Sequence, residues 1–337
     1  MNFGFIGFGL MGQQRLKSVL RMGGHRAVSV FDPDSAKLAS LAADCRRAAT
    51  WQAVIEDPEV DVVVAAVPHH LTREVCIAGL SAGKHVFSEK PIGRTTAECS
   101  DILAADTHGK CFGVGFNYRH YPGIQHAKRL IESGDLGKLT HMRFVLGHAA
   151  RPGYEKEWKT SKEACGGGAL LDPGIHVVDL IRFLGGEVAQ ADARLFTNYW
   201  TMLDVEDNAF LNTETAAGVY TQAHISITEW KNRMSIDIFG ADACVQIRGR
   251  SGFYGAQVVR LTRRWGWLDK SREEEIVTEY PKEDNSFTEE LKLYVERIEG
   301  RAAPDLAMKR DAVRALEIVE GVYRQQQTRQ QQFAVAV

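Results

Sequence analysis

No two of the six cysteines (Cys45, Cys76, Cys99, Cys111, Cys165, Cys244) stand at C-x-x-C spacing. Neither a zinc site nor a disulfide framework is therefore written into the chain, and the thiols read as reduced core filler. Charge of one sign is missing as well. The 41 Lys+Arg oppose 43 Asp+Glu for a formal charge of −2, which argues against a polyanion-binding surface and so against nucleic acid. No uninterrupted apolar run approaches the roughly 20 residues that cross a bilayer, so no membrane association is expected. Only Asn2 separates Met1 from the apolar stretch Phe3–Ile6, with no basic lead-in and no twin arginine. That is not a secretory signal, and the expected compartment is the cytoplasm. No internal repeat is evident.

What remains is a chain of 337 residues, 45% hydrophobic and 25% charged, long enough for two globular domains. Up to about residue 120, short apolar runs alternate with amphipathic segments. Strands are predicted at Phe3–Gly7, Ala27–Asp32, Asp61–Val67, His85–Ser88 and Cys111–Gly115. Helices are predicted near Met11–Met22, Ser35–Ala43, Leu71–Ala82 and Thr95–Thr107. The run Val62–Val67 is apolar at every position rather than at alternate ones, as a parallel strand covered on both faces requires. The expectation is an α/β doubly wound parallel sheet over residues 1–120.

From Tyr121 the pattern changes to longer strands: Leu139–His148, Gln190–Phe196, Asn208–Asn212, Gly218–Thr228, Met234–Phe239, Ala243–Arg248 and Gln257–Thr262. Helices are predicted at Gly123–Ser133, Pro173–Leu184, Phe287–Ile298 and Met308–Gln326. Residues 121–337 are thus expected to form an α+β domain on a large, mostly antiparallel sheet. The glutamine-rich tail Gln325–Gln332 is polar, of low complexity and expected to fray.

Gly7-Phe8-Gly9-Leu10-Met11-Gly12 is a G-x-G-x-x-G in a strand-to-helix context, and Asp32 ends the next strand 20 residues after Gly12. Gly7 suits the tight turn, Gly9 the approach of a pyrophosphate, and Gly12 close helix–strand packing. The free N–H groups of the helix start would face phosphate. A carboxylate at Asp32 accepts hydrogen bonds from ribose hydroxyls and repels a 2′-phosphate, and Pro33 and Asp34 add no positive charge. NAD is therefore favoured over NADP. An Asp before Pro33 also suits a turn, and the two roles are compatible.

Two further clusters carry chemistry. Glu89-Lys90-Pro91 follows a strand and so falls on the carboxyl edge of the sheet, where ligands of open α/β sheets bind. There Lys90 can hydrogen-bond a substrate hydroxyl, although, taken in isolation, a plain surface lysine is the better reading. Gly166-Gly167-Gly168 leads to Asp172, Pro173 and His176. Pro173 fits the first helical turn and Asp172 the cap before it, which would set Asp172 and His176 on one side of the helix start. An imidazole there can take a proton from a hydroxyl near neutral pH, oriented by the carboxylate. A capping Asp beside a core His is the alternative. No metal site is read.

Together, the GFGxMG start, Asp32, Ala82-Gly83-Lys84-His85-Val86 before Glu89-Lys90-Pro91, Asn117-Tyr118-Arg119, and Asp172 with His176-Val177-Val178-Asp179-Leu180 resemble the Gfo/Idh/MocA oxidoreductases. The resemblance runs from residue 1 to about 325. It implies Lys90, Asp172 and His176 as catalytic residues, with His176 as general acid/base. It also implies Glu89, Asn117 and the Val67-Pro68 turn at the nicotinamide end of the cofactor pocket. Association into homodimers or homotetramers through the second domain's sheet is implied too. One departure is Thr72, which stands where relatives carry a histidine after Pro68; His69 and His70 are read as structural. Arg119, Tyr154 and Trp158 are expected near substrate, together with Lys90, Asp172 and His176. The segments Thr228–Asn232 and Gly252–Gly255 look like those of relatives from sugar-nucleotide and polysaccharide pathways. The implied reaction is hydride transfer between NAD and a secondary alcohol or ketone of a sugar, cyclitol or sugar derivative, nucleotide-linked forms included. An NAD-dependent glycoside hydrolase using transient oxidation, and a non-catalytic dinucleotide sensor, stay open as alternatives.

Overall fold

Strands that are apolar on both faces must be covered on both faces, and the first sheet shows this. β1 (Asn2–Ile6), β2 (Arg26–Phe31), β3 (Arg46–Arg47), β4 (Val62–Ala65), β5 (His85–Glu89) and β6 (Phe112–Gly115) form a six-stranded sheet in the order β3-β2-β1-β4-β5-β6. Every pairing in it is parallel. All four residues of β4 are buried. Helices Leu10–Met22, His69–Ser81 and Thr96–Ala104 alternate with the strands. The order reverses between β1 and β4, the switch point where such sheets open a crevice for ligands. The computed structural model describes residues 1–263 and 274–335.

The chain divides into two compact units. The first comprises Met1–Asn117, Glu163–Gly166 and Ser286–Leu316; the second comprises Tyr118–Lys162, Gly167–Asn285 and Glu317–Val337. The first unit's leading run ends three residues before the expected boundary at residue 120. That unit also takes in the late helix Ser286–Ile298, which packs on Leu10–Met22. Leu291, Tyr294 and Val295 of this helix join Phe3, Phe5, Phe8, Phe87 and Val64 in one core. Apolar periodicity marks such a helix but not the sheet that it covers.

The second unit holds an eight-stranded sheet. Its strands are β7 (Leu139–Gly147), β8 (Val188–Phe196), β9 (Asn208–Thr215), β10 (Tyr220–Ser226), β11 (Arg233–Gly240), β12 (Ala243–Arg248), β13 (Gln257–Arg263) and β14 (Glu275–Tyr280). They run in the order β14-β13-β12-β11-β7-β10-β9-β8. Only the β7–β10 pairing is parallel among the described residues. Here the strands alternate: Met142, Phe144 and Leu146 are buried while His141 and Arg143 are exposed, as one covered face demands. The helices Pro122–Glu132 and Gly174–Gly185 supply the cover.

Several elements differ from the sequence pattern. The predicted helix Ser35–Ala43 is a single 3₁₀ turn, Ser35–Leu38, capped by the Asp34 carboxylate on the Ala36 N–H at 3.1 Å. The helix Trp51–Glu56, β3 and β14 were not expected. β3 is two charged residues, and β14 is an edge strand with exposed Ile276 and Val277, so neither carries an alternating pattern. The final helix runs from Lys309 to Val335, through the glutamines expected to fray. Gln325 Nε2 donates to the Ala191 carbonyl at 3.2 Å and Arg329 Nη1 to that of Ala193 at 3.3 Å. The tail is thus tied to edge strand β8.

Candidate active site

In the first unit, the glycine turn is shaped by close backbone approaches. Gly7 sits at φ +86°, and a Cβ there would stand 2.3 Å from the Ala66 carbonyl oxygen. A Cβ on Gly12 would fall 2.2 Å from the Gly7 carbonyl oxygen. Around Gly9, at the start of helix Leu10–Met22, nothing lies within 4 Å of where a Cβ would be. No side chain caps that helix. The open cradle and unfilled N–H groups fit a pyrophosphate. Phe8 is buried against Phe5, Leu10 is largely exposed, and Met11 is half-buried.

Asp32 is buried, and its Oδ2 accepts the Phe8 N–H at 2.7 Å. Its Oδ1 accepts the Asp34 N–H at 2.9 Å and the Lys37 ammonium at 3.1 Å. Pro33 and Asp34 bring no positive charge, but Lys37, five residues on, supplies one through the 3₁₀ turn.

At the edge of β5, Glu89 is held rather than open. Its Oε1 accepts Arg15 Nε at 2.6 Å, and Arg15 Nη1 donates to Glu290 Oε2 at 2.6 Å. Arg15 is fully buried between the rings of Phe87 (4.6 Å) and Phe287 (4.8 Å). Burial opposes its charge, and the two carboxylates restore it. Arg15 and Glu290 gave no signal in the sequence, because one sits inside an ordinary amphipathic helix and the other lies 275 residues downstream. Lys90 follows directly, half-buried, as do Val67 and Pro68 after β4. Asn117 is buried and donates from Nδ2 to Ser286 Oγ at 2.8 Å. Of the paired histidines, His69 is buried with Nδ1 2.8 Å from the Cys165 carbonyl oxygen, and His70 is exposed. Thr72 is buried.

In the second unit, Asp172 and His176 lie on a tight turn and the helix that it feeds. Helix Gly174–Gly185 starts one residue later than expected, with Pro173 as its cap residue and no side-chain cap. Asp172 is therefore not the N-cap. Its N–H bonds the Gly168 carbonyl at 2.9 Å, and its Oδ2 meets the Lys159 ammonium at 2.6 Å. His176 is buried and stacks on Tyr118, with centroids 3.9 Å apart and planes at 5°. Arg250, itself half-buried, lies 4.8 Å from the Tyr118 ring and 3.8 Å from Tyr254, and donates to the Tyr121 hydroxyl at 2.7 Å. Burial pushes the Tyr118 phenol well above its usual range. His148, at the end of β7, is held below the usual imidazole range by burial. The cations Lys159, Arg250 and Arg151 push it the same way, and Asp172 opposes them. Lys159 and Arg250 were missed; both are common residue types in loops without a motif.

Two residues expected near substrate are committed elsewhere. The Arg119 fork is taken by Asp179, with Nε–Oδ2 at 2.8 Å and Nη2–Oδ1 at 2.5 Å. The pair ties the segment bearing Tyr118 to the helix bearing His176. The Tyr154 ring is buried with Leu203, Val205 and Ile227, against Trp200. Trp158 is half-buried beside Lys159, whose ammonium lies 5.6 Å from its ring centroid.

Two of the three glycines, Gly167 and Gly168, are explained within the second unit. A Cβ on Gly167 would lie 2.1 Å from the Tyr323 hydroxyl, and one on Gly168 would lie 2.0 Å from the Glu206 carbonyl oxygen.

Residues 1–116 match the model for an oxidoreductase family with an NAD-binding Rossmann fold, and residues 124–246 match the C-terminal domain model of the same family. Levoglucosan dehydrogenase of Pseudarthrobacter phenanthrenivorans is 37% identical over 150 residues, which are 44% of this chain and 38% of that protein. Inositol 2-dehydrogenase 2 of Saccharopolyspora erythraea is 31% identical over 236 residues, 67% of each chain. A solved levoglucosan dehydrogenase in complex with NADH superposes with a TM-score of 0.83 at 23% identity, covering 96% of both chains. At that identity the superposition speaks to fold alone. With a parallel Rossmann sheet, a large antiparallel sheet and matches at both ends, this chain belongs to the Gfo/Idh/MocA family of NAD-binding oxidoreductases.

Proposed function

We propose that the chain is an NAD-dependent dehydrogenase or reductase acting on a secondary alcohol or ketone of a sugar, cyclitol or sugar derivative. In this reading His176 exchanges the hydroxyl proton, and Lys90 and Asp172 serve the same hydroxyl. The observation that carries it is the second unit's arrangement: a buried imidazole fixed by stacking on Tyr118, four residues after a carboxylate anchored by Lys159. Gly7, Gly9, Gly12 and Asp32 would hold the dinucleotide, with Val67, Pro68, Glu89 and Asn117 toward its nicotinamide end. NAD, when bound, supplies the hydride acceptor. The protein's own work is to orient the hydroxyl and move its proton, so that hydride and proton leave by separate routes. A histidine suits this because its unperturbed pKa lies near neutrality.

Levoglucosan and inositol, named for relatives, head the panel of sugars, cyclitols and sugar nucleotides to be tested with NAD and NADP separately. Lys90→Met and His176→Ala should each lower kcat on the accepted substrate by about 10²-fold or more, while NADH affinity stays within about twofold of the original. Wild-type turnover in both variants would remove these roles.

The same reading includes a cytoplasmic enzyme that self-associates through the second unit's sheet. Its support is the apolar group Phe196, Phe210 and Tyr220 exposed on β8–β10, the sort of patch that marks an interface. No helix among the described residues is long and apolar enough to cross a membrane. Sedimentation velocity should give a dimer or tetramer; a monomer at micromolar concentration would contradict it.

A further inference from the structure

We propose that Glu206 is a positioning residue for the reaction: its carboxylate fixes the glycine segment from which Asp172 and His176 are presented. The proposal rests on the reading of those two residues given above. Glu206 lies between β8 and β9, far from the motif in sequence, and it is half-buried. Oε2 accepts the Gly168 N–H at 3.1 Å, and Oε1 accepts the Leu170 N–H at 2.9 Å and the Tyr323 hydroxyl at 2.7 Å. Its backbone carbonyl accepts the Ala169 N–H at 2.9 Å. Three consecutive N–H groups of the segment therefore end on one residue.

From there the contacts lead to the chemistry. The Gly168 carbonyl accepts the N–H groups of Leu171 and Asp172 at 3.1 and 2.9 Å, and the Ala169 carbonyl accepts that of Gly174 at 2.9 Å. The turn bearing Asp172 and the first residue of the His176 helix thus hang from Gly168 and Ala169, two of the three residues that Glu206 grips. Gly167 and Gly168 can only be glycines while Tyr323 and Glu206 stay where they are, since a Cβ would strike the hydroxyl of one and the carbonyl of the other. Burial pushes the Glu206 carboxyl above its usual range, and the bonds from Tyr323, Leu170 and Gly168 act against that. A carboxylate shifted by burial yet spent on Gly168, Leu170 and Tyr323, on this turn and the helix behind it, is a costly way merely to fill space. Its geometry suits holding a turn to the tolerance that acid/base chemistry needs, where about 1 Å of misplacement can cost about 10²-fold in rate.

Glu206→Gln tests it. The amide replaces an acceptor oxygen with a donor that meets a backbone N–H head on. Amide exchange of the peptide covering residues 166–174, followed by mass spectrometry, should accelerate by about tenfold or more while peptides of the first unit stay unchanged. On whichever of levoglucosan or inositol the wild type oxidises, kcat should fall by about tenfold or more, with the KM for NAD and the NADH Kd within about twofold. Gly168→Ala should give the same signature. The double variant should be no slower than the slower single one, because both act through one turn. Should Glu206→Gln fail to fold, Tyr323→Phe removes only the hydroxyl donor, and about a threefold drop in kcat is expected. Unchanged exchange, unchanged kcat, additive losses in the double variant, or a KM for NAD that rises in step with the fall in kcat would each overturn the proposal. If exchange accelerates but His176→Ala is fully active, the turn is held as described and the functional reading of Asp172 and His176 is what fails.

Discussion

At the scale of single residues, the nucleotide end shows how a motif can be read and still be incomplete. Asp32 presents a carboxylate where a ribose would lie, but Lys37 stands beside it at 3.1 Å. Removing the carboxylate therefore does more than subtract an acceptor: it leaves an ammonium with no carboxylate at Asp32. Asp32→Ala should weaken NAD by about tenfold while NADP is accepted comparatively better, because the Lys37 ammonium, then facing only the Asp34 carboxylate at 3.9 Å, can turn to the 2′-phosphate. Adding Lys37→Ala should abolish the gain for NADP. Steady-state kinetics with both cofactors decide it, and an unchanged NAD/NADP ratio in Asp32→Ala would show that Asp32 does not set the preference. The glycines, Asp32, Lys90, Asp172 and His176 were legible because each motif puts rare residue types at fixed offsets. Arg15, Lys159, Glu206 and Arg250 were not, because their roles depend on partners brought from other parts of the chain. Arg119 and Tyr154 were legible as residues but not in their partners: one is bound to Asp179, the other lies in a core cluster.

At the scale of elements, most boundaries followed the apolar pattern, and the exceptions share a cause. β14 borders the sheet and buries little, so no alternation announced it. The glutamine tail shows no apolar stripe, yet it is helical through Val335 and its side chains serve the carbonyls of β8. An edge strand left bare is prone to pair with another chain. Ending the chain after Gln327 removes Arg329, and with it both the bond to Ala193 and the contact with Asp192. The melting temperature should then fall by about 1–2 °C, the effect of roughly 1 kcal/mol in a chain of this size. Light scattering should rise on heating. If melting and scattering both match the full chain, the tail contacts contribute nothing.

At the scale of the whole molecule, titration sets the sign of the pH response. His25, His85, His126, His148 and His224 are each held below the usual imidazole range, with burial the first cause in every case. A group whose folded pKa is depressed binds its proton more readily when unfolded. The five contribute stability that is present above about pH 6.5 and lost as the pH falls below it. Asp207, whose carboxylate accepts N–H bonds from Asn198, Tyr199 and Trp200, is also held low, so its contribution is lost only in stronger acid. Glu206, raised by burial, runs the other way and gains as the pH falls. The urea midpoint should therefore drop between pH 7.5 and 5.5, and His148→Asn should flatten part of that slope. A midpoint that rises over the same interval would refute it.

The measurement closest to the central claim follows one atom. The accepted sugar or cyclitol, deuterated at the carbon bearing the oxidised hydroxyl, is incubated with the enzyme and NAD, and the cofactor is then weighed by mass spectrometry. The expected result is NADH heavier by one deuterium, formed in step with the keto product, and the same label formed about 10²-fold or more slowly by His176→Ala. Unlabelled cofactor beside a converted substrate, or equal rates in the two proteins, would contradict it.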